Sequence, residues 1–339
     1  MRKTALIAAA TVLVVGLAMT GAAASAPRAT TIAALVSDIG KFTDRGFNQN
    51  QLSGLNKAKT NLGVTILAKQ SNSTSDYIPN LTAAVRAHAN IVISAGFLLA
   101  DATATMAKNF PSTHFAITDY SVHAAPFADK KGNVLYKNVE GLTYAANESG
   151  CLVGVLAAKM AQKMGKKVIG AVGGLTIPPV TIWIAGYKYC AQKAVPGTKV
   201  LIGYSQSFTE TDKCGTVAQN QIGQGAQVLF QVAGGCGLGT LKAADAANIW
   251  GIGVDVDQYK DAKRVLTSGV KRVDNGVYQA IQQVKQGKFD GGGDLVFNLK
   301  NGGMGVGKIN PAVPAADIQL MDKYKADIIS GKLKVPSSL

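Results

Sequence analysis

Residues 32–48 read IAALVSDIGKFTDRGFN. The apolar run 32–36 has the length and composition of a short buried strand, and it stops at a polar, glycine-containing loop carrying Asp38, Asp44, Phe47 and Asn48. From Phe47 onward the apolar residues Leu52, Leu55, Ala58 and Leu62 recur three or four apart and Gly63 follows, so residues 47–62 are expected to form a helix closed by glycine. Asp44, just ahead of that helix, reads as its N-cap. In open α/β sheets, ligands bind in the crevice outside the carboxyl ends of the strands. A loop with two carboxylates, a ring and an amide at such a strand end is therefore the first wall of an expected ligand cleft.

The alternation continues along the chain. Strands are expected at 64–68, 91–94 and 114–118, helices at 77–88 and 98–109, and an extended segment at 138–144 closes the first set. A second set follows, with helices at 147–164, 180–194, 214–224 and 238–247 and strands at 167–172, 199–204, 228–232 and 249–254. Strands alternating with helices build parallel sheets covered by helices. The fold class is α/β, with two Rossmann-like lobes. The segments 270–273, 275–285, 294–299 and 314–330 are too few for a third domain, so they are expected to complete the lobes, with the chain crossing between them more than once. The expected division is 27–145 with 262–291 in the first lobe and 146–261 with 292–339 in the second.

Asp38, Gly96, Asp119, Gly174, Gly234 and Asp255 each follow an apolar strand at its carboxyl end, three from each set. Turn chemistry by itself puts glycine and aspartate at such ends. Their recurrence in both sets suggests two edges facing each other across one cleft.

A chain of 339 residues, 47% hydrophobic and 16% charged, is long enough for two domains with proper cores. Its first 26 residues have a basic start, an apolar centre over 5–19 and small residues after it, which is the pattern of a secretory signal peptide, with cleavage after Ala24 or Ala26. No cysteine lies in that stretch, so the expected product is exported to the periplasm or cell surface without lipid attachment. Removing Arg2 and Lys3 takes the formal charge from +15 to +13. The lysines are scattered singly or in pairs (Lys57, Lys59, Lys130, Lys131, Lys166, Lys167), which suits solvated faces and not a nucleic-acid surface.

Motifs for bond-making chemistry fail one by one. GGMGVGKI spaces Gly302, Gly307 and Lys308 like a phosphate loop, but Ile309 stands where the magnesium-binding hydroxyl belongs and no helix follows. The glycines of 234–239 fit no dinucleotide fingerprint, and His88, His114 and His123 have no metal-ligand spacing. No cofactor and no metal are expected. Four cysteines in an exported chain usually pair. Cys214 opens a helix and Cys236 lies just past the strand that returns from it, so both fall at one sheet edge and are expected to bond. Cys151 and Cys190 remain, on helices flanking one strand, and are paired with each other.

Five segments in order, SDIGKFTDRGFN (37–48), GGLTIPPVTIWIAGY (173–187), FQVAGGCGLG (230–239), GIGVDVDQ (251–258) and SGVKRVDNGV (268–277), resemble the motifs of the basic membrane protein family. These are nucleoside-binding receptors of ATP-binding cassette importers, and the resemblance runs from about Thr31 to Gly307. It implies a type I periplasmic-binding-protein fold, two lobes on a three-stranded hinge closing over a purine nucleoside. It also implies a non-enzymatic monomer that delivers its ligand to a membrane permease. On the matching motifs, Phe47 stacks on the base, Asp38 and Asn48 meet its polar edge, and Trp183 closes the opposite face. Gly234 gives backbone contact, Asp255 and Lys271 hold the sugar hydroxyls, and Asp119 and Gly96 complete the wall. Gly46 stands where the family commonly has serine, and Trp183 where it usually has phenylalanine. A sugar or a flavin-like ring, or an exported nucleoside-processing enzyme, are the alternatives the residues leave open.

Overall fold

The computed structural model describes Met1 and residues 30–339, and the expected signal peptide, apart from Met1, lies outside the described residues. Thr31–Leu339 form one unit around two six-stranded sheets. The chain enters through strand β1 (Ile32–Ser37), helix α1 (Phe47–Leu62), strand β2 (Thr65–Lys69), helix α2 (Tyr77–Arg86), strand β3 (Ile91–Ala95), helix α3 (Ala100–Asn109) and strands β4 (His114–Thr118) and β5 (Val139–Tyr144). It crosses to the second lobe as α4 (Ala146–Lys163), β6 (Val168–Gly173), α5 (Pro178–Ala194), β7 (Lys199–Tyr204), α6 (Thr211–Gly223), β8 (Val228–Val232), α7 (Gly237–Ala246), β9 (Trp250–Asp255) and β10 (Val265–Lys271). It returns as α8 (Val273–Gln286) and β11 (Asp294–Phe297), then crosses again into β12 (Met304–Val306) and α9 (Ala315–Ile329).

The first sheet has the order β2-β1-β3-β4-β5-β11 and is parallel throughout; the second, β7-β6-β8-β9-β10-β12, repeats that order with only its last strand antiparallel. Their central strands are apolar on both faces because helices cover both, as parallel sheets require: β3 is buried at every position, and so is β9.

Local signals set the helix ends. Gly63 takes φ +63 and its N–H returns to Lys59 O at 3.1 Å, which only a residue free of a Cβ does cheaply. Pro178 and Pro179 start α5, where a missing N–H costs nothing. The helices α4 and α5 pack unusually close, since a Cβ on Gly186 would lie 2.0 Å from Asn147 O and one on Gly150 2.2 Å from Trp183 O.

The two lobes are divided differently from the expected 262–291 and 292–339 boundaries. β10 pairs with β9 and belongs to the second sheet, whereas β11 pairs with β5 and belongs to the first. The part of the 262–291 segment that joins the first lobe as expected begins with α8, which packs on α1, and continues through Phe289, whose ring lies 4.4 Å from that of His114. Of the strand expected at 270–273 only 270–271 is strand, as the tail of β10, and Val273 already opens α8; Thr267 and Ser268 interrupt the apolar pattern of β10, yet both are fully buried. Their hydroxyls are satisfied locally, Thr267 Oγ1 donating to Gly307 O at 3.3 Å and Ser268 Oγ accepting from Gln258 N at 3.0 Å. A buried strand with satisfied polar residues does not look buried in sequence. α9 lies on α4 and keeps the end of the chain with the second lobe.

Candidate ligand-binding site

The carboxyl ends of the two sheets face each other across a cleft of about 580 Å³, mouth included. All nine expected contact residues line it: Asp38, Phe47, Asn48, Gly96, Asp119, Trp183, Gly234, Asp255 and Lys271. Asp38 follows β1, Gly96 follows β3, Asp119 follows β4, Gly234 stands beyond β8, and Asp255 and Lys271 end β9 and β10. Asp119 and Asp255 hold matching positions in the two lobes and share a left-handed backbone, φ +63 and +66, a conformation aspartate tolerates better than most residues. Gly96, at φ +128, is required twice over, because a Cβ there would stand 2.4 Å from Asp38 Oδ2.

Asp44 does the work of an N-cap from outside the helix. Its carboxylate accepts from the backbone N–H groups of Gly46 (2.9 Å), Asn48 (2.9 Å) and Gln49 (3.1 Å), so it satisfies the first orphan donors of α1. Those bonds set the direction of the first turn, which carries Phe47 and Asn48 into the cleft. Asn48 Nδ2 donates to Asp38 Oδ1 at 3.4 Å, and the N–H of Gly40 donates to the same oxygen at 3.0 Å. Asn48 Oδ1 is buried with no partner among the described residues, an acceptor left for something else.

Charge is concentrated and nearly dry. Lys271, 2% exposed, reaches from the second lobe to Asp119 Oδ2 at 2.7 Å in the first and to Asp255 Oδ1 at 3.6 Å in its own. Burial alone would lower the lysine's pKa, but Asp119 and Asp255 outweigh it and hold the ammonium above its ordinary value. Burial pushes the Asp255 carboxyl up to about 6 against the pull of Lys271. Asp38 has no cation beside it; burial raises it to about 7 despite its hydrogen bonds from Gly40 and Asn48.

The aromatic wall differs in one member from what the sequence suggests. Phe47 is half-buried, with the Lys271 ammonium 4.6 Å from its ring centre. Trp183 lines the cleft too, but it is 1% exposed, and its ring meets Phe230 edge-on at 6.0 Å. The half-buried ring on the second-lobe side is Phe208, in the loop after β7, lying over Gly174, where a Cβ would stand 2.4 Å from its Cε1. Phe208 was missed because its loop, QSFTETDK, ends no strand with glycine or aspartate; the usable signal was an aromatic in a loop at the same sheet edge.

The lobes touch over the cleft. Gln258 Nε2 donates to Arg45 O at 3.1 Å, Arg45 Nη1 pairs with Asp261 Oδ1 at 3.2 Å, and a Cβ on Gly235 would lie 3.5 Å from Asp44 Cβ. Both expected disulfides are present, Cys214–Cys236 beside the cleft and Cys151–Cys190 between α4 and α5. Among the described residues no three His, Cys, Asp or Glu side chains gather as a metal site would need, and no helix is long and apolar enough to cross a membrane.

Known proteins share this architecture. A solute-binding protein of an ABC transporter system from Aeropyrum pernix K1 superposes with a TM-score of 0.80 at 25% identity, over 91% of this chain and 93% of that one. The ABC transporter nucleoside-binding protein BmpA of Lactococcus lactis subsp. cremoris is 37% identical over 90% of this chain and 89% of its own length. A CD4+ T-cell-stimulating antigen of Listeria monocytogenes is 31% identical, over 89% of this chain and 87% of its own. The family model Bmp, described as ABC transporter substrate-binding protein PnrA-like, matches residues 31–338, and this chain therefore belongs to the family of PnrA-like ABC transporter substrate-binding proteins.

Proposed function

We propose that the protein is an extracytoplasmic receptor that binds a purine nucleoside between its lobes and presents it, unaltered, to the membrane permease of an ABC importer. The observation that carries this is the composition of the cleft: half-buried rings from both lobes, Phe47 and Phe97 from the first and Phe208 from the second, set among polar groups. Rings suit a flat, neutral base, whose faces they cover while water is excluded. Asp38 and the unpartnered Asn48 Oδ1 suit its polar edge. Asp119, Asp255 and Lys271 suit a ribose, because carboxylates accept from paired hydroxyls and the ammonium donates to them. Trp183, buried against Phe230, adds apolar surface to the second-lobe side.

Calorimetry with inosine, adenosine, guanosine, hypoxanthine and ribose tests this reading. A nucleoside is expected to bind far more tightly than either of its parts, and chromatography of the mixture is expected to recover it intact. Phe47→Ala and Phe208→Ala should each weaken binding by roughly tenfold to a hundredfold, the worth of about 1–3 kcal/mol for a base on an aromatic platform. No heat with any nucleoside, or free base appearing at catalytic rates, would overturn it.

A further inference from the structure

Beside the first turns of α5, the second-lobe wall of the cleft is built from the loop 205–210 after β7 and the segment 233–236 after β8, which carries the single 3₁₀ turn Gly234–Cys236. Neither segment belongs to a sheet ladder or to a helix longer than one turn. Phe208 projects from the loop, and Gly234, at φ +54, forms the turn. The loop is anchored at its start, where the Ser205 and Gln206 N–H groups donate to Gly173 O and Gly174 O at 2.9 Å, and two further ties run through Cys236. The Cys236 N–H donates to Phe208 O at 3.0 Å, and the Cys236 sulfur is bonded to Cys214, fully buried in the first turn of α6. The turn is also a place where the lobes meet, since Gly235 lies against Asp44.

The other disulfide makes a comparison within the same molecule. Cys151–Cys190 also lies in the second lobe, fully buried, but it fastens two long packed helices, and Cys190 stands about two turns of α5 beyond Trp183, whereas Cys236 follows the cleft residue Gly234 by two positions. The bonds span 39 and 22 residues, so by loop-closure entropy they constrain the unfolded chain to a similar degree. A purely stabilising role would make them equivalent.

We propose that Cys214–Cys236 is a positioning element of the ligand site, fixing the 234–236 turn and, through the Cys236 N–H, the Phe208 ring, so that affinity depends on this bond and not on Cys151–Cys190. The affinity arm of this proposal rests on the nucleoside reading.

The test compares Cys214→Ser/Cys236→Ser with Cys151→Ser/Cys190→Ser, both oxidised and folded, titrated with inosine, adenosine and guanosine well below their unfolding midpoints. Both midpoints should fall. Affinity is expected to drop about tenfold or more in the first variant, as an aromatic stack left unfixed loses its worth, and to stay within about twofold in the second. Amide exchange should quicken in 205–210 and 233–236 only in the first. If the first variant does not fold, Cys214→Ala/Cys236→Val refills the buried volume and carries the same measurements. Equal affinities together with unchanged exchange in those segments would overturn the proposal. If the parent binds none of the three nucleosides, the functional reading fails, and the exchange comparison alone decides whether the bond positions the wall.

Discussion

Asp38 has one carboxylate oxygen held and one free. Oδ1 accepts from Gly40 and Asn48, while Oδ2 lies against Gly96 with no hydrogen bond among the described residues. With its pKa near 7, raised by burial and by the charges of Asp44 and Asp119, the group is a donor below neutrality and an acceptor above it. Adenine offers an acceptor at N1, and hypoxanthine an N–H donor. If Asp38 meets that edge, the ratio of inosine to adenosine affinity should rise as pH passes from 6 to 8, and Asp38→Asn should flatten it; taking a ratio cancels the titration of Asp255, which the proposed pose sets against the sugar common to both. A ratio independent of pH in the parent would remove Asp38 from the base edge. Glu140 on β5 is another buried acid, 0% exposed, with neither oxygen partnered among the described residues and burial raising its pKa to about 8. The folded value exceeds the ordinary 4.5, so the stability it confers is full below pH 4.5 and is lost as pH rises through 8, at about 1.4 kcal/mol per unit. Thermal midpoints of Glu140→Gln should therefore pull ahead of the parent's progressively from pH 5 to about pH 8 and then level off; a constant gap would mean that Glu140 is not the group titrating.

At the level of the element, two glycines serve for opposite reasons and should respond differently to alanine. Gly186 in α5 faces the backbone of Asn147, which cannot yield without parting α4 from α5, so Gly186→Ala should cost about 1–3 kcal/mol or more by overpacking. Gly63 has open space around it and only its φ of +63 to defend, so Gly63→Ala should cost about 1 kcal/mol. Denaturant midpoints compare the two directly. The elements also explain what could be read in advance. β1, β3, β6 and β8 are short apolar runs between glycines and polar turns, and they lie where that pattern puts them. β10 escaped because Thr267 and Ser268 look solvated until their partners Gly307 and Gln258 are in place, and those partners come from other segments. β12 escaped within the glycines that resemble a phosphate loop. In the site, residues marked by a strand end were legible, and so were Phe47 and Asn48 on a helix start. Phe208 was not, because no strand-end glycine or aspartate marks its loop, and the N–H that its carbonyl accepts from, that of Cys236, comes from a segment distant in sequence.

For the whole molecule, two kinds of interlobe contact coexist, and they should not weigh equally in closure. The Arg45–Asp261 pair has an arginine side chain 62% exposed, and such pairs contribute about 0–1 kcal/mol. Lys271–Asp119 is nearly dry, at 3% and 9% exposed, and removing the lysine would leave two buried aspartates without their cation. Arg45→Ala should thus leave the proportion of closed molecules close to the parent's. Lys271→Met should shift it toward open, seen as a larger radius of gyration in small-angle scattering. If both variants scatter like the parent, the buried pair does not govern the opening.

The three crossings between lobes have a consequence for how the molecule is made. A chain grows from its amino end, and neither half of this one is contiguous: the first sheet lacks its last strand until residues 294–297 exist, and the second lacks its own until 304–306. A nascent chain of 290 residues would therefore carry two sheets, each with an uncovered edge ready to pair with a stranger. Both edges are closed within a few residues of each other, by 294–297 and 304–306, so the two sheets are completed together and neither can be finished without the other.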